Sequence, residues 1–131
     1  MTNSIRIGIA ALGLVAVCNS IAADFDGSKR LICAPVVAMD CTAGAPCLGG
    51  TPEEIGAPAF LRIDFGKKSV IGTKRNAPIS SIEKSESQVL IQGTELGYGW
   101  AIAIDQQGGR MSASLTDREG VFILFGECTP D

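Results

Sequence analysis

The clearest pattern of hydrophobic and polar positions runs from Gln88 to Cys128, where three successive antiparallel strands are written out with their turns. Tyr98, Trp100, Ile102 and Ile104 share one parity while Gly99, Ala101, Ala103 and Asp105 take the other, the period-2 pattern of a half-buried strand. Trp100 is therefore expected to point inward. Gln106 to Gly109 supply a flexible reversal, and Met111, Ala113 and Leu115 alternate with Ser112, Ser114 and Thr116 along the return strand. Asp117-Arg118-Glu119-Gly120 spells the next turn, with Gly120 where a positive φ is often needed. The run Val121 to Phe125 does not alternate, and a strand apolar on both sides predicts cover on both sides.

Upstream, Leu31-Ile32-Cys33-Ala34 reads as a short first strand after a polar leading arm over Asp24 to Arg30. From Pro35 to Pro58 the character changes. Pro35, Pro46, Pro52 and Pro58, with Gly44, Gly49, Gly50 and Gly56, deny regular structure to most of this stretch and predict an ordered loop. Inside it Thr51-Pro52-Glu53-Glu54 is a capping box with Pro at the first helical position, so a single helical turn ending at Gly56 is expected. Ala59, Leu61, Ile63 and Phe65 then alternate with Phe60, Arg62 and Asp64, Gly66-Lys67-Lys68 turns the chain, and Ser69 to Gly72 returns. Pro78 to Ile82 is a weaker strand, and Gln88 to Gln92 leads into the segment described first.

The sum is an all-β fold, an antiparallel meander of about seven or eight short strands closing as a small barrel or a flattened sandwich, with one long disulfide-pinned loop over 35–58. Met1 to Ala22 stands apart. Arg6, the apolar run from Ile7 to Val17, and small Ser20 and Ala22 make it a cleavable signal peptide, cut after Ala22 or Ala23. The run is shorter than the roughly 20 apolar residues of a membrane span, so no membrane anchor is expected. Val17 immediately before Cys18 argues against lipoprotein processing. The remaining 109 residues, 23–131, suffice for one domain with one modest core.

Without Arg6, ten basic side chains face 14 acidic ones, a net charge of −4. The Lys and Arg are scattered, which argues against nucleic acid or an anionic membrane as partner. Four cysteines remain, Cys33, Cys41, Cys47 and Cys128, an even number that in an exported chain reads as two disulfides. Three pairings are possible. Cys33 with Cys128 and Cys41 with Cys47 is favoured, joining the first strand to the last and tying the loop to itself. In the alternative, Cys128 reaches Cys41 or Cys47 and straps the loop over Val121 to Phe125.

Sharper chemistry finds little support. Cys41 and Cys47 are five residues apart in the gap between them, with Pro46 among those five, unlike a Cys-x-x-Cys redox site. A soft-metal site from Cys33, Met39, Cys41 and Cys47 would have no His to complete it. The absence of His also excludes Ser-His-Asp and Cys-His catalysis. Adjacent acids at Glu53 and Glu54, or Asp24 and Asp26, read as cap and solvated charge rather than a catalytic pair. No catalytic residue, metal ligand or cofactor is assigned. A binding surface would draw on Tyr98, freed by Gly97 and Gly99, and on Glu53, Glu54 and Phe60.

Several segments carry a resemblance: Met39-Asp40-Cys41, Ile55-Gly56-Ala57-Pro58 leading to Phe60-Leu61-Arg62-Ile63-Asp64-Phe65, Gln92-Gly93-Thr94-Glu95-Leu96-Gly97-Tyr98-Gly99-Trp100, and Phe125-Gly126-Glu127-Cys128-Thr129-Pro130. Through them the chain resembles a family of short exported proteobacterial proteins of unknown function. The resemblance implies export and no activity. In size and terminal cystine the chain is also similar to periplasmic lysozyme inhibitors, by architecture alone, since their Ser-Gly-x-x-Tyr and Trp-x-Lys-Gly motifs are missing. The expectation is a non-enzymatic periplasmic or secreted binding module whose partner is a protein or a small ligand. The alternative is a thiol-redox or soft-metal protein working through Cys41, Cys47 and Met39.

Overall fold

The alternating segments form strands, and every strand pair is antiparallel. In the computed structural model, which describes residues 24–131, ten strands follow in order. They are β1 (Leu31–Thr42), β2 (Leu48–Gly50), β3 (Leu61–Asp64), β4 (Ser69–Ile71), β5 (Asn76–Pro78), β6 (Ser81–Lys84), β7 (Gln88–Glu95), β8 (Tyr98–Asp105), β9 (Arg110–Thr116) and β10 (Gly120–Pro130). The expected signal peptide over 1–22, with Cys18, lies outside the described residues. One sheet runs β5-β4-β3-β1-β10-β9-β8-β7-β6, with β2 added beside β1, and it curls into a half-barrel.

The concave side is the core. Leu31, Cys33, Ile63, Val89, Ile91 and Ile104 are fully buried there, and Trp100, Met111 and Leu124 join them. Cys33 lies directly opposite Cys128 in the β1–β10 register, and their disulfide crosses the core between the two long strands. Cys41 bonds to Cys47 across the β1–β2 hairpin.

Five expectations change. The loop over 35–58 is narrower, because β1 continues past Pro35 to Thr42 and β2 returns beside it. Pro35 is tolerated at a bulge: the register passes from Pro35 opposite Gly126 to Val37 opposite Phe125, leaving Val36 extra. Gly126 is required at that point, since a Cβ there would strike the Ala34 carbonyl oxygen. What remains irregular is an excursion from 51 to 60, containing the predicted single turn as a 3-10 turn over Pro52–Ile55 closed by Gly56 at φ 74°.

The leading segment is not a free arm either. Phe25 packs against the core over Gly109, whose missing Cβ would sit 2.5 Å from its ring. The strand expected over Pro78 to Ile82 splits, because Pro78 has no N–H and the chain crosses there from one sheet edge to the other. Ile79 N donates to Lys68 O at 2.9 Å and Ser80 N to Gln92 O at 2.8 Å, so these two residues link β4's turn to β7. Finally, Gly120 does not have positive φ; it is small because a Cβ would meet the Cys41 carbonyl. The turn before it is held by Asp117 Oδ1, which accepts from the N–H groups of Glu119 and Gly120 at 2.8 and 3.0 Å.

The outer face of β10 also differs from expectation. Val121 and Ile123 are half-buried by their neighbours along the sheet, but Phe125 and its β1 partner Val37 are 44% and 47% exposed. Among the described residues no loop lies across them. The favoured pairing, Cys33 with Cys128 and Cys41 with Cys47, is the one present, so no cystine straps the loop over this strand.

Candidate functional site

The register gathers one rim of the half-barrel from distant parts of the chain. Tyr98 opens β8, Thr116 ends β9 opposite Gly99, Val121 follows opposite Thr116, and Cys41 lies opposite Val121. The β7–β8 connection at this rim is two residues long, since Glu95 pairs with Tyr98. Leu96 and Gly97 have φ of 49° and 86°, the two positive values that a type I′ hairpin demands. Gly97 suits that turn. Leu96 does not, because a branched side chain in the left-handed region costs about 1–2 kcal/mol, and it is 70% exposed as well.

Alternation along β8 and β9 places one depression on each side of the sheet at this rim. On the concave side, a space of about 230 Å³ is lined by Asp40 and Thr42 of β1, Tyr98 of β8, Asp117 and Glu119 of the turn, and Phe122 of β10. The Tyr98 and Phe122 rings sit 6.5 Å apart and tilted by 44°, forming its apolar wall. Asp40 is directly across from Phe122 in the register. Glu119 faces Arg118 at 3.5 Å in an exposed pair.

On the other side, a groove of about 440 Å³ runs over β6, β7, β8 and β9. Its walls are the polar side chains of Ser80, Ser81, Gln92, Thr94, Ser114 and Thr116, and its floor is the strand surface at Gly93, Gly99, Trp100 and Ala101. Ser81 Oγ donates to Gln92 Oε1 at 3.1 Å across the first strand pair. Trp100 is 9% exposed, and its Nε1–H has no hydrogen-bond partner among the described residues.

Of the residues singled out from sequence for a binding surface, only Tyr98 is at this rim. Glu53, Glu54 and Phe60 belong to the 51–60 excursion, and none of them lines either depression. Glu54 is occupied locally, its carboxylate accepting from Thr51 N at 2.7 Å. Phe60 is 52% exposed. All four cysteines among the described residues are in disulfides, so Cys41 and Cys47 present no free thiol to a metal or a redox partner. No group of three or more His, Cys, Asp or Glu side chains among the described residues is arranged to hold a metal ion.

The groove is hidden in the sequence because Ser114 and Thr116, like Gly99 and Ala101, look only like the outward half of two strands. The available signal was their size: an outward face of Ser, Thr, Gly and Ala carries no long side chains to fill it. No protein-family model, curated protein or solved structure matches the chain.

Proposed function

We propose that this is an exported, non-enzymatic binding module, and that a protein or small-ligand partner meets the rim around Leu96 and Tyr98. The observation that carries the proposal is Leu96. A type I′ turn favours Asn or Gly at this position, and an apolar side chain 70% exposed at φ 49° serves neither the turn nor the core. Strain of this kind persists where a surface needs the side chain. The depressions on both sides of Tyr98 and Trp100 supply shaped surface next to it. Two cystines fit the oxidising compartment that export would reach. Among the described residues no helix is long and apolar enough to cross a membrane.

The test is Leu96→Asn in the full exported protein. The substitution is expected to raise stability by about 1 kcal/mol, read by urea unfolding, and to diminish copurification of a partner or a ligand-dependent shift in melting midpoint. The proposal fails if the unsubstituted protein shows neither a copurifying partner nor any such shift. It also fails if Leu96→Asn leaves both unchanged.

A further inference from the structure

The outer face of β1, β10, β9 and β8 is uncharged over three successive rows of the register. β1 and β10 place Val37, Met39, Val121, Ile123 and Phe125 on it, and β9 and β8 place Ser112, Ser114 and Thr116 beside Gly99, Ala101 and Ala103. The residues that alternate with these, such as Ala38, Leu124, Ala113 and Ile102, point the other way and are buried in the core. Charge returns at the margins, with Glu127 opposite Arg110 at one end and the Arg118–Glu119 pair at the other. An uncharged centre inside a charged rim is the anatomy of a protein interface. A strand apolar on both faces wants cover on both, and among the described residues nothing lies over Val37 and Phe125.

This face is divided by side-chain size. β10 is a ridge of Val121, Ile123 and Phe125, whereas β8, two strand spacings or roughly 10 Å away, shows only Gly99, Ala101 and Ala103. The groove of about 440 Å³ lies along that second, low side. A Cβ at Gly99 would meet nothing nearer than 4.0 Å, so the low side is open. Turning a second copy over a two-fold axis that runs along β9 lays β10 of each copy on β8 of the other, row for row. Phe125 then stands over Ala103, Ile123 over Ala101 and Val121 over Gly99. The largest side chains meet the smallest, as two sheets packed about 10 Å apart require.

We infer that a second copy of this chain covers the outer face of β10, in a sheet-on-sheet dimer centred on Ser114. Such an interface is isologous, the same surface used twice, and this face carries both the ridge and the trough that receives it. The five neighbouring strands from β1 through β10, β9 and β8 to β7, over the seven residues of β9, span roughly 24 by 24 Å, or roughly 1,100 Å² between two copies. That is the low end of specific interfaces, where association is weak and depends on concentration. Leu96 and the concave depression lie outside the contact and stay free for the partner proposed above.

Sedimentation of the exported protein from about 1 µM to about 500 µM covers the range of a weak dimer. Monomer is expected at the low end and dimer at the high end. Ser114→Arg sets two cations against each other on the axis and is expected to weaken the dimer at least a hundredfold. Phe125→Thr, which removes the exposed ring of the ridge, is expected to weaken it at least tenfold. Both positions face outward, so the melting midpoint at the lowest concentration should stay within about 4 °C of the unsubstituted protein. A protein that remains monomeric to the highest concentration overturns the inference and leaves the face to a partner of another kind. A dimer that forms equally well in both variants also overturns it, since two copies then meet through a different surface. Neither result bears on the rim, which Leu96→Asn judges separately.

Discussion

Removing the core cystine with Cys33→Ala and Cys128→Ala should cost the protein much of its stability. The two residues are 95 apart in sequence. In the chain-entropy treatment a loop of that size removes about 16 cal/mol/K from the unfolded chain, or about 4.7 kcal/mol at 25 °C. Cys33 is fully buried and Cys128 nearly so, so the lost sulfur volume adds about 1 kcal/mol more. Alanine is the better replacement because a serine hydroxyl would be buried at both positions. The Cys41–Cys47 bond, closing a separation of only six residues, is worth about 2 kcal/mol by the same expression.

The comparison between the two double variants is therefore the measurement. Urea unfolding followed by Trp100 emission gives both midpoint and slope. Because a loss of about 5–6 kcal/mol approaches the whole stability of an ordinary domain, both variants are measured with a stabilising osmolyte present at equal concentration. The Cys33/Cys128 variant should lose at least twice as much as the Cys41/Cys47 variant, and its slope should rise because its unfolded chain expands. Equal losses would refute the reasoning. So would a large loss without any change in slope, which would place the effect in native packing rather than in the unfolded chain.

Gly93→Ala should destabilise by about 2 kcal/mol, because its Cβ would lie 2.5 Å from the Pro78 carbonyl oxygen and closer still to the Trp100 ring, and neither is a flexible end. Urea unfolding and the Trp100 emission maximum test this together, and an unchanged midpoint would show that the ring does not rest on Gly93. Hydrogen bonds from the Ser28 side chain and backbone hold the Asp26 carboxyl below its ordinary pKa. A depressed folded value means that the associated stability is present above the unfolded pKa and is lost as pH falls through the folded one. Ser28→Ala should raise the Asp26 pKa in an NMR titration, and no upward movement would remove Ser28 as the cause.

What the sequence determined by itself is local. Period-2 alternation is a property of neighbouring residues, so the strands from Gln88 to Cys128, the inward aim of Trp100 and the turns at Gln106 to Gly109 and Asp117 to Gly120 could all be read in line. The all-β class followed from their number and spacing. The capping box over Thr51 to Glu54 was legible for the same reason, since one turn needs only its own residues.

The tertiary structure decided whatever depends on a partner far away in the chain. Pro35 looks like a strand end until β10 is placed beside it, when pairing with Phe125 to Val121 carries β1 on to Thr42. Pro78 ends one strand and the next begins at Ser81 because the curled sheet brings β4 and β7 within reach of Ile79 and Ser80. Phe25 looks like part of a polar arm until Gly109 offers it a seat. The rim was hidden in the same way. Asp40, Tyr98, Asp117 and Phe122 share a depression only because β1 ends where β8 and β10 begin, and register between strands is set by the burial of whole faces and by long-range pairing rather than by any one stretch of residues.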